Sequence, residues 1–175
     1  MNDPLTQDLR KLNEIAKKLR GKRVDKGALT LSSPDVKFKR SEENEDPIDI
    51  ELYQHRETNY LVEEFMLLAN ISVATQIHTV FPAFSMLRRH PPPNGKKFSS
   101  LIKLLKQKGM DLDIGSSKNL AESLDKAVID DDPYFNELLR ILSTRCMTSA
   151  LYFSSGKRSQ SEFHHYGLAA DIYTH

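Results

Sequence analysis

The chain has 175 residues, of which 39% are hydrophobic and 28% are charged, a composition typical of one soluble globular domain. Its net charge of +1 excludes an overall electrostatic field strong enough to select a highly charged partner. Cys146 is the single cysteine, so an internal disulfide is excluded and a reducing, intracellular compartment is expected. The sequence has no apolar run of about 18 residues and no apolar N-terminal signal core, so neither a membrane span nor a secretory signal is expected.

The first forty residues are basic, with eleven Lys and Arg against five Asp and Glu. This excess fits either a nucleic-acid contact or the solvated outer faces of helices, and the sequence leaves both open. Apolar residues at helical spacing predict a helix from Pro4 to Arg20, with Gly21 as its C-terminal stop. Alternating apolar and charged residues then predict three short strands between residues 28 and 53, which form an antiparallel meander.

The longest stretch with helical periodicity is ETNYLVEEFMLLANISVA, from Glu57 to Ala74, in a helix predicted to end near Val80. Its apolar stripe is broad enough to imply burial on most sides. Glu63, Glu64 and Asn70 interrupt the stripe, and a carboxylate in a core helix is costly without a partner. One glutamate is therefore expected to point inward, toward a buried cation, a backbone donor or a substrate. The alternative is that both carboxylates flank the stripe and reach water.

The rest of the chain is also mostly helical. The prolines of the LRRHPPP block predict an extended connection without a helix. Further helices are predicted at Phe98–Lys108, Lys118–Val128 and Pro133–Phe153. A polar loop at Ser154–Ser161 and a segment rich in aromatic residues and histidine follow them. These elements predict a mostly helical α+β fold with a small antiparallel meander and several helices.

Few residues have the spacing of a catalytic or metal site. His164 and His165 are adjacent, which suits a tetrahedral metal poorly, so structural or solvent-facing roles are expected. Cys146 lies in an apolar helical stretch and is expected to be an inert buried thiol. No glycine-rich loop typical of phosphate binding is present. The residues by themselves therefore predict no catalytic group and no metal ligand.

Six blocks, in order along the chain, carry a resemblance to a known family. They are LRKLNEIAKKLRGKRVDKGALTL (Leu9–Leu31), DPIDIELYQHRETNYLVEEFMLLANISVA (Asp46–Ala74), LRRHPPP (Leu87–Pro93), NLAESLDKA (Asn119–Ala127), LLRILSTRCMTSALYF (Leu138–Phe153) and FHHYGLAADIYTH (Phe163–His175). With these blocks the chain resembles the RNB family of exoribonucleases, the ribonuclease II and ribonuclease R type. It is most similar to the branch of the eukaryotic exosome catalytic subunit.

The resemblance implies an enzymatic activity and indicates which part of the enzyme this chain corresponds to. RNB enzymes hydrolyse RNA processively from the 3′ end and release nucleoside 5′-monophosphates, with Mg²⁺ held by a cluster of aspartates. The family pattern places those aspartates upstream of Met1. It places an arginine that steadies the scissile phosphate in an FTSPIRRYAD-like block just after His175. Residues 1–175 are therefore expected to be the middle portion of an RNB domain, without the magnesium ligands.

The resemblance also implies residues that contact RNA. Glu64, in the EFM pattern, matches the helix glutamate that approaches the 3′-terminal nucleotide and senses its ribose. A carboxylate that accepts a hydrogen bond from the 2′-OH distinguishes RNA from DNA. Asn70 is expected to brace that helix. His165, Tyr166 and Tyr173 belong to the segment that lines the active-site floor in the family.

Three interpretations of the chain stay open. It is a piece of a 3′-to-5′ exoribonuclease that is inactive alone, a non-catalytic RNA-binding or exosome-interaction module, or an incomplete gene model with no independent role. The expected partners are single-stranded RNA and, as a second candidate, RNA exosome subunits, in the nucleus, the cytoplasm or both. A domain fragment without its central strands is expected to expose apolar surface and to aggregate or stay molten when expressed alone.

Overall fold

The structure, a computed structural model, describes residues 3–31, 36–40, 47–52 and 55–175, with residues 36–40 and 47–52 described as backbone only. The described part holds five α-helices, four β-strands and three short 3-10 turns after the last strand. In chain order the helices and strands are α1 (Pro4–Asp25), β1 (Val36–Arg40), β2 (Pro47–Leu52), α2 (Glu57–Val80), β3 (Met86–Arg89), α3 (Gly95–Gln107), α4 (Ser117–Lys126), α5 (Phe135–Cys146) and β4 (Leu151–Ser154). The prediction of a mostly helical α+β fold is confirmed.

Two of the three strands predicted for the meander are present. β1 and β2 pair antiparallel, with Val36 opposite Leu52. The prediction of a strand at residues 28–31 is wrong, because this stretch is described and carries no strand. Its backbone turns to the C-terminal segment instead, where the Leu29 N–H donates to the Gly167 carbonyl over 3.0 Å. That donor is therefore not available for a third strand of the meander.

Helix α1 is longer than the sequence predicts. Asp3 caps its N-terminus, where the side chain accepts a hydrogen bond from the Thr6 N–H at 3.0 Å. The predicted stop at Gly21 is wrong, because the helix continues through this exposed glycine to Asp25. Gly27, with a φ of +95°, follows the helix in the left-handed conformation that glycine tolerates best. The extra turn contains Arg23, which reaches α2.

Helix α2 has fewer buried positions than its apolar sequence predicts. Its buried residues are Glu64, Leu67 and Ala74. Val62 and Val73 are 64% and 51% exposed, so the prediction of burial on most sides is wrong. In this chain α2 packs against α1 on one side and against the C-terminal segment on another.

Helix α5 ends earlier than predicted, at Cys146 rather than Phe153. Residues Leu151–Ser154 instead form β4, which pairs antiparallel with β3 and places Phe153 opposite Leu87. The apolar pattern continues past the end of α5, and a short apolar run does not distinguish a helix from a strand. The partner strand, more than 60 residues earlier in the sequence, decides the outcome.

Buried apolar residues form three clusters that the C-terminal segment, residues 163–175, connects. The largest lies among α3, α4 and α5, and its buried members are Leu29, Phe98, Leu101, Leu105, Leu112, Leu120, Leu124, Ala127, Leu139 and Tyr166. Two smaller clusters lie along α2, and their buried members are Leu67, Ala170 and Tyr173 in one and Ala74, Leu87 and Phe163 in the other. Because Tyr166, Tyr173 and Phe163 each enter a different cluster, the C-terminal segment joins the helices to α2 and β3.

Candidate functional site

A cleft of about 570 Å³ lies where α2, β3 and the C-terminal segment meet. Its ionisable and aromatic wall residues are Glu63, Arg88, His90, His165, Tyr173 and His175. We call it the histidine cleft. Apolar side chains, among them Met66 and Leu67 of α2, form the rest of its floor. A concave, partly apolar surface with convergent polar groups is the usual form of a ligand site.

Backbone hydrogen bonds between β3 and the C-terminal segment position these side chains. The Arg88 N–H donates to the Tyr173 carbonyl at 2.8 Å, and the Tyr166 N–H donates to the His90 carbonyl at 2.9 Å. His90 and His165 also form an isolated parallel bridge. The C-terminal segment therefore runs along β3, and both elements deliver side chains to one cleft.

The two buried histidines of the cleft are neutral at pH 7. His90 Nε2 lies 2.8 Å from the Thr148 carbonyl, and His90 Nδ1 accepts from the Gly167 N–H at 3.1 Å, which fixes the proton on Nε2. Burial lowers the pKa of His90. Burial lowers the pKa of His165 to about 4, and the proximity of His90, which disfavours a second protonated ring, and of the Arg88 charge adds to the effect. The rings lie 5.3 Å apart, so they offer aromatic faces and neutral ring nitrogens rather than charge.

Asn70 braces the end of the C-terminal segment against α2. Its Nδ2 donates to the Tyr173 hydroxyl at 3.0 Å and lies 3.3 Å from His175 Nδ1. The Tyr173 ring packs edge-on against His165, with 5.3 Å between the centroids. Three of the residues that the resemblance implies, Asn70, His165 and Tyr173, therefore lie together.

The structure answers which of the two adjacent glutamates points inward. Glu64 is 3% exposed, whereas the Glu63 side chain is 39% exposed and lines the histidine cleft. The partner of Glu64 is a cation, one of the expected alternatives: the Arg23 guanidinium pairs with it through Nε, at 3.2 Å, and through Nη2. The same Nη2 lies 3.0 Å from Glu63 Oε1. Arg23 thus joins α1 to α2.

Glu64 and Tyr166 lie outside the histidine cleft. Glu64 borders a neighbouring pocket of about 320 Å³, whose other charged residues include Lys22 and Lys26. Tyr166 is 4% exposed in the cluster of α3, α4 and α5, and burial, with the charge of Asp113, raises its pKa to about 12. Two of the implied site residues are therefore separated from the other three.

The remaining candidates have structural surroundings. His164 is partly exposed and lies 3.5 Å from Asp171. Cys146 is partly buried, and burial raises the pKa of its thiol, which disfavours the reactive thiolate. Among the described residues, no three His, Cys, Asp or Glu side chains converge as a metal site. These residues therefore do not fit a resident magnesium ion.

The RNB domain profile matches residues 1–175, the whole length of the chain. This chain belongs to the RNB domain family. Exosome complex exonuclease RRP44 homolog A of Arabidopsis thaliana is 55% identical to the RNB chain over 175 residues, which is 100% of this chain and 19% of the relative. The RNB chain thus spans about a fifth of the length of these curated relatives. The family predicted from the six sequence blocks is confirmed.

Solved structures show the same fold. RNase R of Mycoplasma genitalium, solved in the apo form and in complex with ribose methylated single-stranded RNA, has a TM-score of 0.79 at 24% identity over 100% of the RNB chain and 27% of RNase R. Yeast Ssd1, described as a pseudonuclease, has a TM-score of 0.61 at 29% identity over 70% of the RNB chain and 15% of Ssd1. Within the described residues of the RNB chain, no helix has the length and apolar character to cross a bilayer.

Sequence reasoning missed three ionisable side chains of the histidine cleft, Arg88, His90 and His175. The prolines of the LRRHPPP block were used for the prediction, and they indicate only that the backbone is extended. A signal was present nonetheless. Adjacent residues of an extended strand point to opposite faces, so Arg88 and Arg89 had to lie on different faces, with Arg88 opposite to the face of Leu87.

Proposed function

We propose that the RNB chain binds single-stranded RNA in the histidine cleft, as part of a hydrolytic 3′-to-5′ exoribonuclease of RNA processing and decay. We further propose that residues 1–175 do not hydrolyse RNA alone. The observation that carries the first proposal is the position of the C-terminal segment: it brings His165 and Tyr173 to one cleft beside α2. The second proposal rests on the metal requirement of the family, in which hydrolysis uses magnesium held by aspartates. Among the described residues of this chain, no metal-binding cluster forms.

We assign the ribose contact to Glu64, which Arg23 holds in place at the edge of the pocket next to the histidine cleft, so the end of the RNA strand would extend from the cleft into that pocket. A carboxylate has about four lone-pair sites, so an ion pair with one guanidinium leaves it able to accept from a 2′-OH. Glu63 shares Arg23 and faces the cleft, which makes it the competing acceptor. Tyr173 and His165 offer ring faces for base stacking, a sequence-tolerant contact with single strands. Asn70 positions Tyr173, and Tyr166 anchors the segment in the core.

The test compares binding of labelled single-stranded RNA and DNA of one sequence by fluorescence anisotropy at low salt. RNA is expected to bind more tightly, and Glu64→Gln is expected to reduce the RNA-to-DNA affinity ratio while Glu63→Gln, the adjacent matched variant, leaves it unchanged. Absence of RNA binding at low salt would reject the proposed function. If Glu63→Gln alone reduces the RNA-to-DNA affinity ratio, Glu63 rather than Glu64 contacts the ribose.

The proposed lack of activity has its own test. The purified chain is incubated with magnesium and single-stranded RNA, and nucleoside monophosphates are measured by chromatography. No release is expected. Metal-dependent release that follows the protein through every purification step would show that these residues hydrolyse RNA without the family's aspartate cluster.

A second candidate is a non-catalytic RNA-binding or exosome-interaction module. The similarity to Ssd1 favours this candidate, because Ssd1 has this fold and is described as a pseudonuclease. Both candidates act inside the cell, in the nucleus, the cytoplasm or both. The transcript sequence on either side of this reading frame separates them. An upstream aspartate cluster would favour the enzyme, and capture of RNA exosome subunits by a chain without that cluster would favour the module.

A further inference from the structure

Two adjacent arginines of β3 differ in how their charges are compensated. Successive side chains of a strand point to opposite faces, so Arg88 and Arg89 point apart. Arg89 pairs with Glu162, with 3.3 Å between Nη1 and Oε1, and donates to the Glu162 carbonyl at 3.0 Å. Arg88 points to the histidine cleft.

Arg88 has no counter-ion in the described part of the chain. Its Nε is enclosed and has no hydrogen-bond partner there, which is also true of Arg89 Nε, so the ion pair with Glu162 is what separates the two arginines. Its side-chain contact is the Tyr152 ring, 5.5 Å from Cζ to the centroid. A guanidinium is always charged, and a partly buried charge without a partner is costly. Among the described residues, the cleft wall therefore carries a positive charge that no carboxylate neutralises.

The groups around Arg88 suit an anion. Glu63, the carboxylate of the cleft, is already engaged by Arg23 at 3.0 Å, and His90 and His165 are uncharged at neutral pH. Ser149 also lines the cleft, and its hydroxyl can donate a hydrogen bond to an anion without adding charge. A planar guanidinium makes paired hydrogen bonds to phosphate oxygens, so a phosphodiester matches this wall in charge and geometry.

We propose that Arg88 binds an internucleotide phosphate of an RNA strand lying in the histidine cleft. This inference rests on the proposed function, since it names the group that fixes the strand's backbone there. The RNA contacts assigned above involve ribose and bases, and Arg88 adds the electrostatic contact that such a strand requires.

The test uses the 175-residue chain and three variants, Arg88→Met, Arg88→Lys and Arg89→Met, each checked by thermal melting. Arg88→Met is expected to weaken single-stranded RNA binding roughly tenfold at low salt, the loss expected for one charged hydrogen-bonded contact. It is also expected to reduce the slope of log K against log salt by about 0.7, the value for one phosphate on a single strand. Arg89→Met, the matched control, is expected to leave both unchanged. Equal effects of the two methionine variants, or an unchanged slope in Arg88→Met, would overturn the inference.

A second measurement separates this inference from the proposed function. Inorganic phosphate is titrated into the ¹⁵N-labelled wild-type chain, and the Nε–H resonance of Arg88, assigned through Arg88→Lys, is followed by NMR. A saturable shift at Arg88 but not at Arg89 supports the phosphate contact even where RNA fails to bind, a result that rejects the proposed function alone. No shift at Arg88 together with normal RNA binding rejects the inference alone. The wild-type titration also decides the matter if Arg88→Met does not fold.

Discussion

Arg23 and Glu64 form an ion pair that is largely removed from water, with side-chain exposures of 16% and 3%. Removing one partner of such a pair leaves the other charge buried and unpaired, which costs more than the pair itself contributes. The pair therefore holds the last turn of α1 against α2, and it holds Glu64 in a fixed orientation.

Replacing Arg23 by Met is expected to lower the free energy of unfolding by about 3 kcal/mol, measured by urea denaturation at pH 7. The control is Lys17→Met, which removes the ion pair of Lys17 with Glu57 between the same two helices. Those side chains are 60% and 69% exposed, so a much smaller loss is expected. Similar losses in the two variants would show that Glu64 finds another partner.

His165 makes stability depend on pH in a calculable direction. Its pKa is about 4 in the folded chain and close to 6.5 when unfolded, so between these values the unfolded chain binds a proton that the folded chain does not. Stability is therefore full above about pH 6.5 and falls as the pH drops toward 4, by about 2 kcal/mol at pH 5 from this residue. His165→Asn is expected to reduce the difference between urea midpoints at pH 7.5 and pH 5. His164→Asn, the more exposed neighbour, is the control, and an equal reduction there would contradict the assignment.

At the scale of elements, α1 shows why a helix boundary depends on more than the local sequence. Gly21 lies in the interior of α1 and has nothing within 4 Å of where a Cβ would lie. Gly27 has a φ of +95°, and a Cβ there would lie 2.5 Å from the backbone nitrogen of Lys118. The two glycines of one short stretch therefore have opposite roles, which the sequence does not distinguish.

Substituting each glycine by Ala tests that distinction. Gly21→Ala is expected to raise the free energy of unfolding by up to about 1 kcal/mol, because alanine is the better helix former and the site is open. Gly27→Ala is expected to lower it by more than that, since the backbone conformation and the contact with Lys118 both reject a side chain. Thermal melts of the two variants, run beside the unchanged chain, provide the measurement. A stabilised Gly27→Ala would contradict this account.

The elements that could be predicted are those whose signal is local in the sequence. The positions of α2, α3 and α4 follow from periodicity, which is local. The strand nature of Leu151–Ser154 depends on β3, and the lack of a strand at residues 28–31 depends on Gly167. For the site, the pattern of α2 gave one inward carboxylate, but its partner Arg23 lies about 40 residues away and required the tertiary structure.

At the scale of the whole molecule, the C-terminal segment connects the three buried clusters, and other large apolar side chains stay exposed to solvent. Helix α1 carries an apolar row that no other described element covers, with Leu5, Leu9, Leu12 and Ile15 at 68%, 51%, 40% and 47% exposure. These positions follow helical spacing, so they form one stripe. A contiguous apolar stripe on a small chain lowers solubility.

This surface predicts self-association that substitutions on α1 reduce. Sedimentation velocity of the chain is expected to show a weight-average sedimentation coefficient that rises with concentration, because the stripe gains from leaving water. The double variant Leu5→Lys with Leu9→Lys is expected to flatten that dependence without lowering the melting temperature, since neither side chain belongs to a core cluster. Lys18→Gln, on the polar side of α1, serves as the control. A concentration dependence that persists in the double variant would assign the association to another surface, such as the exposed apolar residues of α2, and would remove α1 as its cause.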